Sequence, residues 1–179
     1  MMRVVAGRFG GRTLAAPRGR ATRPTPERVR EALFSILGDV GGLRVIDLFA
    51  GSGALGIEAL SRGAAEATFV DSSGVAVAAI RRNLDSLGAE ASVHREDARA
   101  FLQRARSRAR QYDLVLLDPP YRQAAGLGPE LSAGLGPVLA PGARVIAESD
   151  RRAPLELELE LLDERRYGDT LIRIYASPE

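Results

Sequence analysis

Asp118-Pro119-Pro120-Tyr121 is the segment of this chain best equipped for chemistry. It follows the apolar run Leu114-Val115-Leu116-Leu117, so it stands where a buried strand meets solvent. The two prolines remove two ladder donors and fix φ, giving a stiff turn that presents a carboxylate, a carbonyl and an aromatic face in one geometry. That trio suits a planar base bearing an amino group: the oxygens accept both hydrogens of the NH2 while the Tyr121 ring stacks on the base. An ordinary strand-ending turn with a surface tyrosine has the same composition, so the neighbouring motifs decide between the two.

The second segment, Asp47-Leu48-Phe49-Ala50-Gly51-Ser52-Gly53-Ala54-Leu55-Gly56, reads as strand, glycine turn and helix. Gly51, Gly53 and Gly56 satisfy G-x-G-x-x-G, which lets backbone approach a ligand and lets the helix pack closely on the strand. Dinucleotide sites use this spacing to hold a pyrophosphate at the helix N-terminus, where a further negative charge is unfavourable. Asp47, four residues before Gly51, points instead to a ligand carrying an ammonium group, such as the methionine part of S-adenosylmethionine. Asp71 ends the strand pattern 67–70, twenty residues past Gly51, where an acid reaches ribose hydroxyls. Asp97 follows a strand pattern and either accepts from an adenine amino group or caps the next helix; both roles stay open.

The chain has 179 residues, enough for one domain with a layered core, and no cysteine. Disulfides, thiolate metal sites, iron–sulfur clusters and cysteine-adduct catalysis are thereby excluded, leaving direct displacement onto nitrogen or oxygen among methyl-transfer routes. With one histidine, His94, in a strand pattern, no metal site is expected. No leader or membrane span is legible, so a cytoplasmic location is expected. The net charge is only +2, yet Arg3, Arg8, Arg12, Arg18, Arg20, Arg23, Arg28 and Arg30 face the single acid Glu27 in the first thirty residues. Such polarised arginine, interleaved with glycine, suits phosphate-backbone contacts; a solvated tail is the other reading.

The elements that must position these groups alternate. Residues 3–16 read as a small hairpin arm around Gly10-Gly11; Thr25 as N-cap and Pro26 at the first helical position then open a helix with Val29, Leu33, Ile36 and Leu37 on one face. Strands are expected at 44–49, 66–71, 91–95, 112–117 and 143–148, with helices near 53–62, 74–87, 97–109 and 126–139. Leu155, Leu157, Leu159 and Leu161 alternate with glutamates as in a half-exposed strand, and Leu171–Tyr175 pairs antiparallel with it. The expectation is one α/β domain over 1–179, with a basic arm at 1–24 and a core at 25–179. In a parallel sheet built by right-handed crossovers, Asp47, Asp71, Asp97 and Asp118 all reach the same edge and converge on one cleft.

Taken together, Arg3-Val4-Val5-Ala6-Gly7, Gly11-Arg12-Thr13-Leu14, Arg23-Pro24-Thr25, Arg28 to Phe34, Asp47 to Arg62, Leu117 to Tyr121 and Tyr167-Gly168-Asp169-Thr170 span nearly the whole chain. In these it resembles the Rossmann-like S-adenosylmethionine-dependent methyltransferases, and within them the bacterial 16S rRNA guanine-N2 methyltransferases of the RsmD type. The resemblance implies a doubly wound, mostly parallel seven-stranded sheet with a C-terminal antiparallel hairpin and a small N-terminal hairpin. It implies S-adenosylmethionine as cofactor, with Asp47, Gly51 and Gly53 at the methionine part, Asp71 at the ribose, Asp97 with Ala98 at the adenine, and Phe49 also among the cofactor contacts. Asp118, Pro119, Pro120 and Tyr121 would hold the guanine, while Arg3, Arg8, Arg12, Arg23, Arg28 and Arg30 would hold RNA. The implied partner is 16S rRNA, in the small ribosomal subunit or an assembly intermediate, met by a monomer. Two alternatives remain: an adenine-N6 methyltransferase, which would share the D-P-P-Y turn, and a non-catalytic RNA-binding module.

Overall fold

The computed structural model describes residues 1–19 and 24–179. Arg20 and Arg23, and with them part of the arginine-rich stretch, lie outside the described residues. The chain opens with two short antiparallel strands, β1 (Met2–Arg3) and β2 (Thr13–Leu14). This hairpin is docked rather than free: Met2, Val4, Phe9 and Leu14 are buried in the same apolar cluster as the helices behind it. Its backbone is tied to the core through polar side chains, with the Val5 and Ala6 amides donating to Glu58 and the Phe9 amide to Ser61.

Helix α1 (Glu27–Leu37) follows, its N-terminus formed by Pro26 without a side-chain cap. Thr25, expected as the cap, donates its hydroxyl to Glu148 Oε2 at 2.5 Å instead. A buried carboxylate costs far more to leave without a donor than a helix terminus open to water, so the hydroxyl goes to the carboxylate. The rest of the chain alternates as expected: β3 (Arg44–Leu48), α2 (Ala54–Ser61), β4 (Glu66–Asp71), α3 (Gly74–Leu87), β5 (Ser92–Arg95), α4 (Ala98–Ser107), β6 (Tyr112–Leu117), α5 (Tyr121–Leu135) and β7 (Leu139–Asp150).

The sheet is completed by β8 (Glu160–Tyr167) and β9 (Thr170–Ala176), giving seven strands in the order β5-β4-β3-β6-β7-β9-β8. The first five are parallel; β9 runs antiparallel to both β7 and β8. One face is covered by α1, α2 and α3 through Leu33, Phe34, Ile57 and Ile80, the other by α4 and α5 through Phe101, Leu102, Leu131 and Leu135. Strands buried on both faces are why their sequences read as continuous apolar runs rather than alternations.

Several boundaries differ from expectation: β7 begins at Leu139, four residues before the expected 143, and α5 ends at Leu135 rather than 139. Helix α5 begins at Tyr121, five residues before the expected 126, because the Pro119-Pro120 pair leads straight into the first turn, where missing amide donors cost nothing. The alternating Leu/Glu stretch begins outside the sheet. Leu155 and Leu157 are buried and Glu156 and Glu158 exposed, as a period of two requires, but the strand starts only at Glu160. The backbone at Glu156 and Glu158 meets α5 instead, while the Leu155 and Leu157 amides donate to Ser149 and Tyr175 side chains. A Cβ at Gly128 would lie 2.0 Å from the Glu156 carbonyl oxygen, and the Glu158 amide donates to Ser132 Oγ at 2.8 Å. Gly128 thus opens a groove in the helix that captures this backbone. Among the described residues no helix is long and apolar enough to cross a membrane.

Candidate active site

The chain lays down β3, β4 and β5 towards one edge, then returns to add β6 and β7 on the other side of β3. The crevice at the carboxyl ends of β3 and β6 is therefore the switch point of the sheet, where ligands of open α/β folds bind. Asp47 lies near the end of β3, Asp71 ends β4, and Asp118 directly follows β6. Asp97 follows β5 as the N-cap of α4, so all four acids predicted to converge do reach one edge of the sheet.

Asp47 is almost wholly buried, and its Oδ2 accepts from the Gly56 amide at 2.9 Å. Burial pushes its pKa up to about 8 against the pull of that amide, with the charges of Asp71 and Glu148 adding to the rise. Gly56 is required here by space: a Cβ would stand 2.4 Å from the Phe69 ring and 3.1 Å from Asp47 Oδ2, so only glycine lets α2 sit this close to β4. The turn between strand and helix forces Phe49 to φ 59°, a left-handed conformation unusual for an aromatic residue. Gly51, also left-handed, donates its amide to Asp71 Oδ2 at 2.9 Å, while Asp71 Oδ1 accepts from the Ser73 amide at 2.8 Å. Asp71 thus shapes the glycine loop from the end of β4.

Asp97 accepts from the Arg99 and Ala100 amides at 2.9 and 3.3 Å, so the capping role left open by the sequence is realised. Its side chain remains exposed, and Ala98 beside it is buried as the first residue of α4. Asp118 is partly exposed as a residue, with its carboxyl enclosed. Its pKa stands well above the usual carboxylate range, raised by burial, then by the charges of Glu148 and Asp47. Pro119 is buried, Pro120 forms the N-terminus of α5, and Tyr121 keeps 40% exposure.

A cavity of about 180 Å³ opens beside Tyr121. Its other walls are Glu148 of β7, Pro24, Pro26 and Arg28 at the entrance to α1, and the turn Gly168-Asp169 between β8 and β9. Here the antiparallel hairpin, the α1 entrance and the D-P-P-Y turn meet, which no local reading of the sequence could show.

The arginines divide. Arg8, Arg12 and Arg28 are exposed, with Arg8 stacked over the Phe9 ring at 4.4 Å and Arg12 donating to the Ser86 carbonyl. Arg3 is half exposed and paired with Glu27 at 3.3 Å. Arg30 is a correction. It has no exposure, and its guanidinium donates to Glu58, the Arg3 carbonyl and the Thr25 carbonyl, so it cannot meet a phosphate. Its position on the buried face of α1, one residue after Val29, overrides the charge pattern that put it among the RNA contacts.

Three functional-site neighbours escaped the sequence reading. Glu58 anchors the hairpin. Asn83 joins the hairpin to the glycine loop by exchanging hydrogen bonds with Ala15 and donating to the Ser52 carbonyl. Glu148, 3% exposed, adds a fifth acid at the carboxyl edge. Its signal was present: a lone acid ends the apolar run Val145-Ile146-Ala147, as Asp118 ends the run before it.

Residues 2–176 match the family described as conserved hypothetical protein 95. The chain is 37% identical over 180 residues to the Bacillus subtilis protein named "Putative rRNA methyltransferase YlbH", covering 97% of this chain and 98% of that one. It is 32% identical over 185 residues to ribosomal RNA small subunit methyltransferase D of Haemophilus influenzae, covering 97% and 93%. A solved structure of a hypothetical protein from Thermus thermophilus superposes with a TM-score of 0.86 at 30% identity, over 98% of this chain and 99% of that one. With its acid-lined switch point, glycine loop and D-P-P-Y turn, the chain belongs to this family, the RsmD/YlbH family of S-adenosylmethionine-dependent methyltransferases.

Proposed function

We propose that this chain methylates the exocyclic N2 of a guanine in small-subunit ribosomal RNA, of the guanine-966 type. The observation that carries this reading is the position of Asp118-Pro119-Pro120-Tyr121 at the switch point of the sheet, one strand away from the Asp47 glycine loop. The names of the relatives supply the RNA class.

The residues present fit S-adenosylmethionine. A Cβ at Gly51 would meet nothing within 4 Å, so the outer side of the glycine loop is open to a ligand. The buried Asp47 carboxyl suits the ammonium group, Asp71 the ribose hydroxyls, and the Asp97-Ala98 corner the adenine. Bound there, the cofactor supplies a methyl group activated on a sulfonium.

The guanine amine is a weak nucleophile because its lone pair is delocalised into the ring. Asp118 and the Pro119 carbonyl would accept its two hydrogens, localising the lone pair towards the methyl group. Fixed geometry contributes much of the acceleration. Transfer of the methyl group from the sulfonium would leave the amine cationic, and a proton must then leave it. Asp118, whose raised pKa makes it a stronger base than an ordinary carboxylate, is the acceptor in this scheme. Stacking of the extruded base on Tyr121 offsets part of the cost of unstacking it from its loop. Exposed Arg8, Arg12 and Arg28 would hold the RNA backbone.

The test is incubation of the chain with labelled S-adenosylmethionine and, separately, small subunits, naked rRNA and duplex DNA, followed by nucleoside identification. The reading requires N2-methylguanine in RNA. N6-methyladenine as the product, or no transfer to any substrate, would refute it.

A further inference from the structure

Leu117 of β6 and Ala147 of β7 are register partners in parallel strands, so the residues that follow them, Asp118 and Glu148, stand side by side about 4.8 Å apart in backbone. Asp47 is on the same sheet face: it pairs with Leu116, which pairs with Ile146, and Glu148 is two residues beyond Ile146. Glu148 is 3% exposed, yet it forms part of the wall of the 180 Å³ cavity that Tyr121 also lines. Thr25 donates to its Oε2 from the entrance to α1. An ionised carboxylate accepts at both oxygens and donates nowhere, so a base edge presenting two adjacent N–H groups suits Asp118 and Glu148 together.

Resting on the guanine-N2 reading above, we infer that Glu148 is the specificity-determining residue of the base pocket, accepting the N1–H of the target guanine while Asp118 takes the neighbouring N2 amine. Guanine presents N1–H and N2–H on one edge, and two acceptors side by side on adjacent strands match that edge. Adenine presents an acceptor at N1 next to its amine and would set a lone pair against the carboxylate. Thr25 is a positioning residue: its hydroxyl holds the Glu148 carboxylate from the α1 entrance, so the arm-to-helix junction is tied to the choice of base.

The test compares guanine with 2-aminopurine at the methylated position of a small-subunit RNA. 2-Aminopurine keeps the reacting N2 amine but has an acceptor where guanine has N1–H. Wild type should prefer guanine by roughly 10- to 100-fold in kcat/KM, the range for a hydrogen bond to a charged group. Glu148→Ala should narrow that ratio by losing efficiency on guanine selectively. Glu148→Gln, whose amide can donate to the N1 of 2-aminopurine, should narrow it while preserving fold, checked by thermal melting and S-adenosylmethionine calorimetry. The wild-type comparison stands even if a variant fails to fold. Equal efficiency on both RNAs, or an unchanged ratio in folded Glu148→Gln, overturns the role of Glu148 and leaves guanine methylation standing. Absence of N2-methylguanine from the guanine RNA sinks the proposed function itself.

Discussion

Arg30 and Glu58 form an ion pair, 3.5 Å from Nη1 to Oε2, in which neither side chain retains any exposure. Glu58 also accepts from the Val5 and Ala6 amides and from Arg62, while Arg30 donates to the Arg3 and Thr25 carbonyls. Two helices and the N-terminal hairpin are thereby joined through one buried charge network. Removing one partner leaves the other charge buried without compensation. Glu58→Ala should therefore lower unfolding stability by about 3 to 5 kcal/mol and expose the hairpin to proteolysis. Urea denaturation checks the first and limited proteolysis the second; a loss under about 1 kcal/mol would mean water replaces the pair.

The cofactor-free chain should become less stable as pH rises from about 4 to about 8. Asp47 has its folded pKa raised to about 8, above its unfolded value, so folding favours the neutral carboxyl. Its contribution is fully present below the ordinary carboxylate range and is lost as pH climbs through about 8. Asp118 and Glu148, both raised, act in the same direction. Calorimetric Tm profiles should show Asp47→Asn with a shallower decline than wild type. Parallel profiles would show that Asp47 is already ionised at neutral pH.

Asp118→Ala should reduce kcat by roughly 10²- to 10³-fold while changing S-adenosylmethionine affinity only a few-fold, because its proposed contacts are to the target amine. Tyr121→Ala should raise KM for RNA and lower the rate, with Tyr121→Phe milder since stacking survives. Near wild-type turnover of Asp118→Ala at saturating RNA would remove Asp118 from the chemistry.

Neutralising Arg8, Arg12 and Arg28 together should weaken rRNA binding and flatten the log–log salt slope by roughly 0.7 to 0.9 units per lost phosphate contact. The three are exposed and belong to the docked hairpin and the mouth of the cavity. Cofactor calorimetry should be unaffected. An unchanged salt slope in the triple alanine variant would move the RNA to another surface.

The sequence by itself determined the alternation of strands and helices, the parallel core and the edge at which Asp47, Asp71, Asp97 and Asp118 meet. Those features follow from local periodicity, from glycine and proline geometry, and from a handedness rule that needs no tertiary detail. It did not determine which charges would be inside. Arg30 and Glu148 read as ordinary charged residues in the sequence, and only the packing of α1 on the sheet decided that one would clamp the hairpin and the other would line a cavity. Thr25 likewise reads as a helix cap until β7, 123 residues further on, brings a carboxylate to its hydroxyl. The leucine–glutamate alternation correctly set which side chains of residues 155–158 are buried, because a period of two sorts faces in any extended segment. Whether that segment joins the sheet depended on a partner it could not name: the bare backbone of α5 at Gly128, against which the Glu156 carbonyl packs before the strand starts at Glu160.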